Sequence, residues 1–185
     1  MYEVELKVRA DRDAVRRRLV ERGAERVGAV VQRDTYYDAP HRNFAETDEA
    51  LRIRREEELD GAGETTAKVT YKGPLVEAES KTREEFETEV ADDEAMAGVL
   101  GGLGFEPAAV VEKERERYAL DGYAVTLDRV AGLGEFVEVE REATEGEIEA
   151  VREGAVGVLR DLGLDPDGGI RTSYLGLLSA ENAPE

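Results

Sequence analysis

Residues 112–130 read EKERERYALDGYAVTLDRV. Two alternating runs, Glu112–Leu120 and Tyr123–Val130, flank the pair Asp121-Gly122. Asp-Gly readily supplies the positive φ angles of a two-residue hairpin loop, so the stretch reads as two antiparallel strands. Side chains of a strand alternate between faces. Lys113, Arg115 and Arg117 therefore share one face of the first strand, and Thr126 and Asp128 share one face of the second.

The same pattern recurs on both sides of this hairpin. In Tyr2–Val8, Glu3, Glu5 and Lys7 stand opposite Val4, Leu6 and Val8. Val27–Tyr37 reads as a strand broken by Asp38-Ala39-Pro40. Ala50–Glu57 sets Arg52 and Arg54 against Leu51 and Ile53, and Thr66–Lys72, ending at Gly73-Pro74, presents Lys68, Thr70 and Lys72. Ser80–Val90 presents Arg83, Glu85 and Glu87. Glu135–Glu140 presents Phe136, Glu138 and Glu140, with Val137 and Val139 behind.

Helices separate some of these strands. Asp13–Arg22 carries Val15 and Leu19 on one stripe and stops at Gly23. A second helix starts at Asp92 or Asp93 and runs to about Leu103. Thr144 and Glu147 form a capping box ahead of the stripe Ile148, Val151, Ala155, Val158, Leu159 and Leu162, closed by Gly163. Thr172–Leu178 reads as a short terminal helix. No linker or repeat divides the chain, so one domain is expected over residues 1–178, with residues 179–185 as a tail. About eight strands in antiparallel hairpins with three or four helices give an α+β domain built on a barrel or strongly curved sheet.

The net charge is −19 over 185 residues, with 20 Arg against 5 Lys. An acidic surface repels nucleic acid and anionic membrane, so neither is expected as a partner. Its poverty in Lys fits a salt-adapted, halophilic source. Cysteine is absent and His41 is the one histidine, which excludes disulfides, thiol nucleophiles and His-rich metal sites. No apolar run has the length of a membrane span and no secretory leader is evident, so a cytoplasmic protein is expected.

Four of the five lysines, Lys7, Lys68, Lys72 and Lys113, fall on polar strand faces; Lys81 is less clear. If these charged faces converge, the apolar faces point outward and need helices to cover them. The result is a barrel with a polar lumen, wide enough at about eight strands for one small ligand. Buried charges require partners. A polyphosphate carrying Mg²⁺ or Mn²⁺ meets both signs, with Lys and Arg on phosphoryl oxygens and carboxylates on the metal.

The motifs on these strands resemble a known family. Glu3-Val4-Glu5-Leu6-Lys7 is similar to the ExExK signature of CYTH proteins, a group that includes class IV adenylate cyclases of the CyaB kind and thiamine triphosphatases. Asp34–Pro40 with Asp48–Arg54, Thr70–Pro74, Lys81–Glu85, Lys113–Tyr118, and Asp128 with Gly134–Glu140 resemble its further blocks in the same order. The resemblance implies the triphosphate tunnel fold, an eight-stranded antiparallel tunnel with helices packed outside. It implies triphosphate binding by Lys7, Arg52, Arg54, Lys72, Arg83, Lys113 and Arg115. Divalent metal would be held by Glu5, Asp128 and Glu138, with Glu3 and Glu140 as further ligands, and catalysis would centre on Glu5, Lys7, Asp128 and Glu138. Lys68 is a weaker candidate, and Arg117 has a structural alternative.

The resemblance leans toward the CyaB-like subgroup, hence conversion of ATP to cyclic AMP and pyrophosphate. Hydrolysis of an inorganic or organic triphosphate, or triphosphate binding without turnover, are the alternatives. No Trp is present to stack on thiamine. Gly101–Gly104 follows a helix instead of opening one and is not a phosphate loop. His41 is expected on the surface, and Tyr36, Tyr37 and Phe136 in packing. The oligomeric state is not fixed by the sequence, a homodimer included.

Overall fold

The computed structural model describes residues 1–76 and 80–182. Eight strands form the sheet: β1 Tyr2–Arg9, β2 Glu25–Asp38, β3 Ala50–Glu58, β4 Thr65–Leu75, β5 Arg83–Val90, β6 Glu106–Leu120, β7 Tyr123–Val130 and β8 Gly134–Ala143. Helices α1 Arg12–Glu21, α2 Phe44–Thr47, α3 Asp93–Gly102, α4 Ile148–Asp161 and α5 Tyr174–Glu181 lie between or after them. The sheet closes into a barrel in the order β1-β5-β4-β3-β2-β6-β7-β8, and every pairing is antiparallel. This is the eight-stranded antiparallel tunnel that the family resemblance implied.

The β6–β7 turn forms at Asp121-Gly122, with φ of 52° and 80°. Among the described residues, closure between β1 and β5 rests on two register pairs, Tyr2↔Glu84 and Glu3↔Arg83. The seam continues beyond them through the Lys81 N–H, which donates to the Glu5 carbonyl at 3.1 Å.

Several boundaries differ from those read in the sequence. β6 starts at Glu106, not Glu112, because Pro107–Val111 continues the ladder with β2 as far as Asp38↔Glu106. β4 runs through Gly73-Pro74 to Leu75 by a register shift between Lys72 and Leu75. β5 begins at Arg83, three residues after Ser80. The one-turn helix α2, capped by the Asn43 side chain, lies between β2 and β3, in a stretch for which no element was read. α5 continues to Glu181, and residues 183–185 of the expected tail lie outside the described residues.

The main apolar core lies outside the barrel. Val4, Leu6 and Val8 of β1, Val125 and Leu127 of β7, and Val137 and Val139 of β8 form one cluster with α1 and α4. Val15 and Leu19 come from α1; Val151, Ala155, Val158 and Leu159 come from α4. Each fully buried Val or Leu contributes about 1.5–3 kcal/mol, so this cover holds the charged faces inward. The Thr144–Glu147 capping box starts the turn that leads into α4. A second cluster lies under α5, and a third joins Tyr37 and Ile53 to Leu100 of α3. Among the described residues no helix is long and apolar enough to cross a membrane.

Candidate active site in the barrel lumen

The inward faces enclose a cavity of about 780 Å³. Eleven of the twelve residues expected at the site line it; Asp128 does not. The alternation of strands places them there, since Glu3, Glu5 and Lys7 of β1 face the same lumen as Glu138 and Glu140 of β8.

Much of the charge is paired across strands. Arg54 grips Asp34 with two hydrogen bonds of 2.7 Å. Arg115 grips Asp128 in the same way, at 2.7 and 2.6 Å, and also reaches Glu138. Lys72 contacts Glu3 at 2.5 Å and Glu85 at 2.7 Å, and Lys81 donates to Glu5 at 2.8 Å. Arg83 donates to the Asp48 carbonyl at 2.8 Å and the Gly73 carbonyl at 3.2 Å. Such forks hold each guanidinium in one orientation. Arg52 is looser: it lies 3.6 Å from Asp34 and 4.0 Å from Glu87, and among the described residues its Nε has no hydrogen-bond partner.

Two lysines differ from the rest. Lys7 is 1% exposed and, among the described residues, its Nζ has no hydrogen-bond partner. Lys113 is also buried, and its Nζ stands 3.8 Å from Asp128. Desolvation pushes both lysines down to about 7, Lys81 adding repulsion at Lys7 and Arg115 at Lys113. An anion bound beside them would favour their charged forms.

The carboxylates divide likewise. Glu138 is held well below the usual range: burial opposes its charge, but Arg115, Lys113 and Lys7 outweigh it. Glu140 is pushed up to about 8 by burial and by Glu3. Glu5, Glu138 and Glu140 each offer an oxygen within 4.8 Å of the others. Three clustered carboxylates suit a hard divalent cation such as Mg²⁺ or Mn²⁺. Glu3 is turned toward Lys72 instead. Asp128 is fully buried behind Arg115, and its second oxygen also accepts from the Tyr174 hydroxyl at 2.7 Å. Its place in this structure is to fix Arg115.

The lumen contains further residues not assigned a role from the sequence. Asp34 anchors Arg54, and Glu56 accepts from Gln32 and Arg117, both at 2.6 Å. Arg117 thus has a pairing role, as does Lys68, which donates to Glu87 at 3.0 Å. Lys81 and Tyr174 also line the cavity. Extending the alternation along β2 through Gln32 and Asp34 would have found two of these; nothing local points to Tyr174. Tyr36 and Tyr37 line the cavity, whereas Phe136 packs edge-on against Tyr174, their centroids 5.0 Å apart. His41 is exposed and meets Phe105 edge-on.

The CYTH domain family model matches residues 1–174. The chain belongs to the CYTH family. This CYTH protein is 39% identical over 179 residues to a Methanocaldococcus jannaschii protein whose name proposes an adenylate cyclase, covering 96% of this chain and 98% of that one. A solved Pyrococcus horikoshii OT3 structure superimposes with a TM-score of 0.89 at 38% identity, covering 97% of this chain and 99% of that one. A Hippeastrum protein, proposed as an adenylyl cyclase and described by a dominant triphosphatase activity, shares the fold with a TM-score of 0.66 at 20% identity, covering 99% and 97% of the two chains.

Proposed function

We propose that this CYTH protein is an enzyme that takes ATP into the barrel together with Mg²⁺ or Mn²⁺ and converts it to cyclic AMP and pyrophosphate. The observation that carries the reading is the pair Lys7 and Lys113, two buried ammonium groups: among the described residues the Lys7 Nζ has no hydrogen-bond partner, and the Lys113 Nζ stands 3.8 Å from Asp128, whose oxygens Arg115 already holds. A triphosphate would supply the missing negative charge.

Arg52, Lys72 and Arg83 would add contacts to the phosphoryl chain, while Asp34 and Asp128 keep Arg54 and Arg115 aimed. Glu5, Glu138 and Glu140 would hold the cation, which when bound neutralises phosphoryl charge and lowers the pKa of a coordinated oxygen. The ribose 3′-oxygen would give its proton to solvent and attack the α-phosphorus, while the bond from that phosphorus to the oxygen bridging to the β-phosphate breaks and pyrophosphate leaves. Lys7 and Lys113 then meet the charge that develops on pyrophosphate.

A nucleotide rather than a bare polyphosphate is supported by the mouth at one end of the tunnel. Tyr37, Phe44, Leu51, Leu75 and Leu175 line the cavity there, from the ends of β2 and β4, the start of β3, α2 and α5. Inorganic triphosphate has no use for apolar surface, whereas a base and ribose do. Hydrolysis of a triphosphate is the second reading, favoured by the charged lining itself, which engages phosphoryl groups and not the base. The name of the M. jannaschii relative supports the cyclase.

Incubation with ATP and with tripolyphosphate, each in Mn²⁺ and in Mg²⁺, separates the readings once products are resolved. Cyclic AMP with pyrophosphate is the expected result. Orthophosphate without cyclic nucleotide identifies a triphosphatase, and tight binding without turnover a binding protein. Absence of both binding and turnover overturns the proposal.

A further inference from the structure

Lys72 and Lys81 satisfy their charge on carboxylates, and those oxygens occupy ammonium N–H donors that a phosphoryl oxygen would need. Lys7 and Lys113 are stabilised differently. Both sit over one aromatic ring, that of Tyr174, with Nζ at 4.2 Å and 4.8 Å from its centroid. An aromatic face attracts a cation through its quadrupole and offers no lone pair in the manner of a carboxylate, so most N–H donors stay available. The same tyrosine donates its hydroxyl to Asp128, the group that fixes Arg115.

The ring is itself held firmly. Tyr174 is buried, and Phe136 packs edge-on against it. The Ser173 side chain caps the first turn of α5 by accepting from the Gly176 N–H at 3.1 Å. Just upstream, the Ile170 N–H donates to the Lys7 carbonyl at 2.7 Å, tying the approach to α5 to β1 at the very residue the ring supports. At the other end of the helix, Leu178 presses on Gly132, where an added Cβ would stand 3.2 Å from its Cδ2.

We propose that Tyr174 is a positioning residue for the anion site, its ring keeping the Lys7 and Lys113 ammonium groups out of hydrogen-bond contact with the nearby carboxylates and directed at the ligand. The inference rests on the triphosphate reading of the lumen and goes beyond it, because it makes α5, outside the barrel ladder, set the geometry of two lumen cations. Without the ring, each ammonium gains by collapsing onto Asp128 or Glu138, and the local positive charge is cancelled.

Tripolyphosphate binding, measured calorimetrically without metal, tests this. The proteins compared are the wild type, Lys7→Ala, Tyr174→Phe, Tyr174→Leu, the Lys7→Ala/Lys113→Ala pair, and that pair with Tyr174→Leu added. Tyr174→Leu is expected to weaken binding tenfold or more, while Tyr174→Phe, which keeps the ring, stays within threefold of wild type. Tyr174→Leu is expected to add less than threefold to the double lysine variant, since it acts through those lysines. Failure of the wild type to bind removes the triphosphate reading itself. If the wild type binds and Lys7→Ala weakens it, three results overturn the positioning role alone: no effect of Tyr174→Leu, equal losses in the Phe and Leu variants, or full additivity with the lysine pair. Circular dichroism checks folding, and Tyr174→Met, which fills the space with a flexible chain, replaces the Leu variant if that does not fold.

Discussion

Burial works against charge on Lys72, but Glu3 and Glu85 hold its pKa above the ordinary lysine value, whereas burial brings Lys7 and Lys113 down to about 7. These last two lose their protons as the pH of the free protein rises past about 7. A bound triphosphate favours the charged forms, so binding above that pH takes up protons and affinity falls as pH rises. Calorimetry from pH 6 to pH 9 should show this slope, flattened in the Lys7→Ala/Lys113→Ala protein; a slope unchanged by those substitutions would place the titrating groups elsewhere. Glu138 plays another part: it belongs to the carboxylate cluster and is kept ionised beside Arg115. Glu138→Ala is expected to abolish turnover while leaving tripolyphosphate affinity within a few-fold, measured as kcat and Kd on one preparation. Lys7→Ala should weaken both.

At the scale of elements, the strands owe their orientation to the helices. β1, β7 and β8 alternate charged with apolar residues, and alternation alone does not say which face points inward. α4 decides it by presenting Val151, Ala155, Val158 and Leu159 to the valines of β1 and β8. Leu159 is fully buried in that cluster. Leu159→Ala should therefore cost about 2–5 kcal/mol of stability, measured by chemical denaturation. The apolar cluster it belongs to contains no residue that lines the cavity, so triphosphate affinity of the folded protein should stay within twofold. A large affinity loss would mean that the outer core and the lumen are mechanically coupled. α5 has the opposite character, because Tyr174 and Leu175 at its start line the lumen while Leu177 and Leu178 pack in the cluster that anchors Tyr174.

The whole molecule sets an acidic exterior around a lumen rich in cations. Net charge is −19, yet Lys7, Arg52, Arg54, Lys113 and Arg115 are all buried around one cavity. Salt should then act in opposite directions on two properties. Screening relieves repulsion among surface carboxylates, so thermal melts from 0.1 to 2 M KCl are expected to show Tm rising, by roughly several degrees. The same salt competes for the lumen cations, and tripolyphosphate affinity should fall over that range. A Tm that drops with KCl would show that buried pairs, not surface repulsion, dominate the electrostatics.

The sequence by itself determined which residues share a strand face, because a period of two is a property of the extended chain. That was enough to gather Glu3, Glu5, Lys7, Lys113, Arg115, Glu138 and Glu140 on polar faces; that those faces turn inward was decided by the helices that cover the apolar ones. Only the tertiary structure decided how those charges are shared. Asp128 follows the strand pattern, but its oxygens are taken by Arg115 and Tyr174, contacts that require β6 and α5 to meet it. Lys81 and Tyr174 lie outside the strands and enter the lumen through the β1–β5 seam and the closing helix. Pairing across a barrel depends on distances between side chains remote in sequence, and local periodicity carries no information about them.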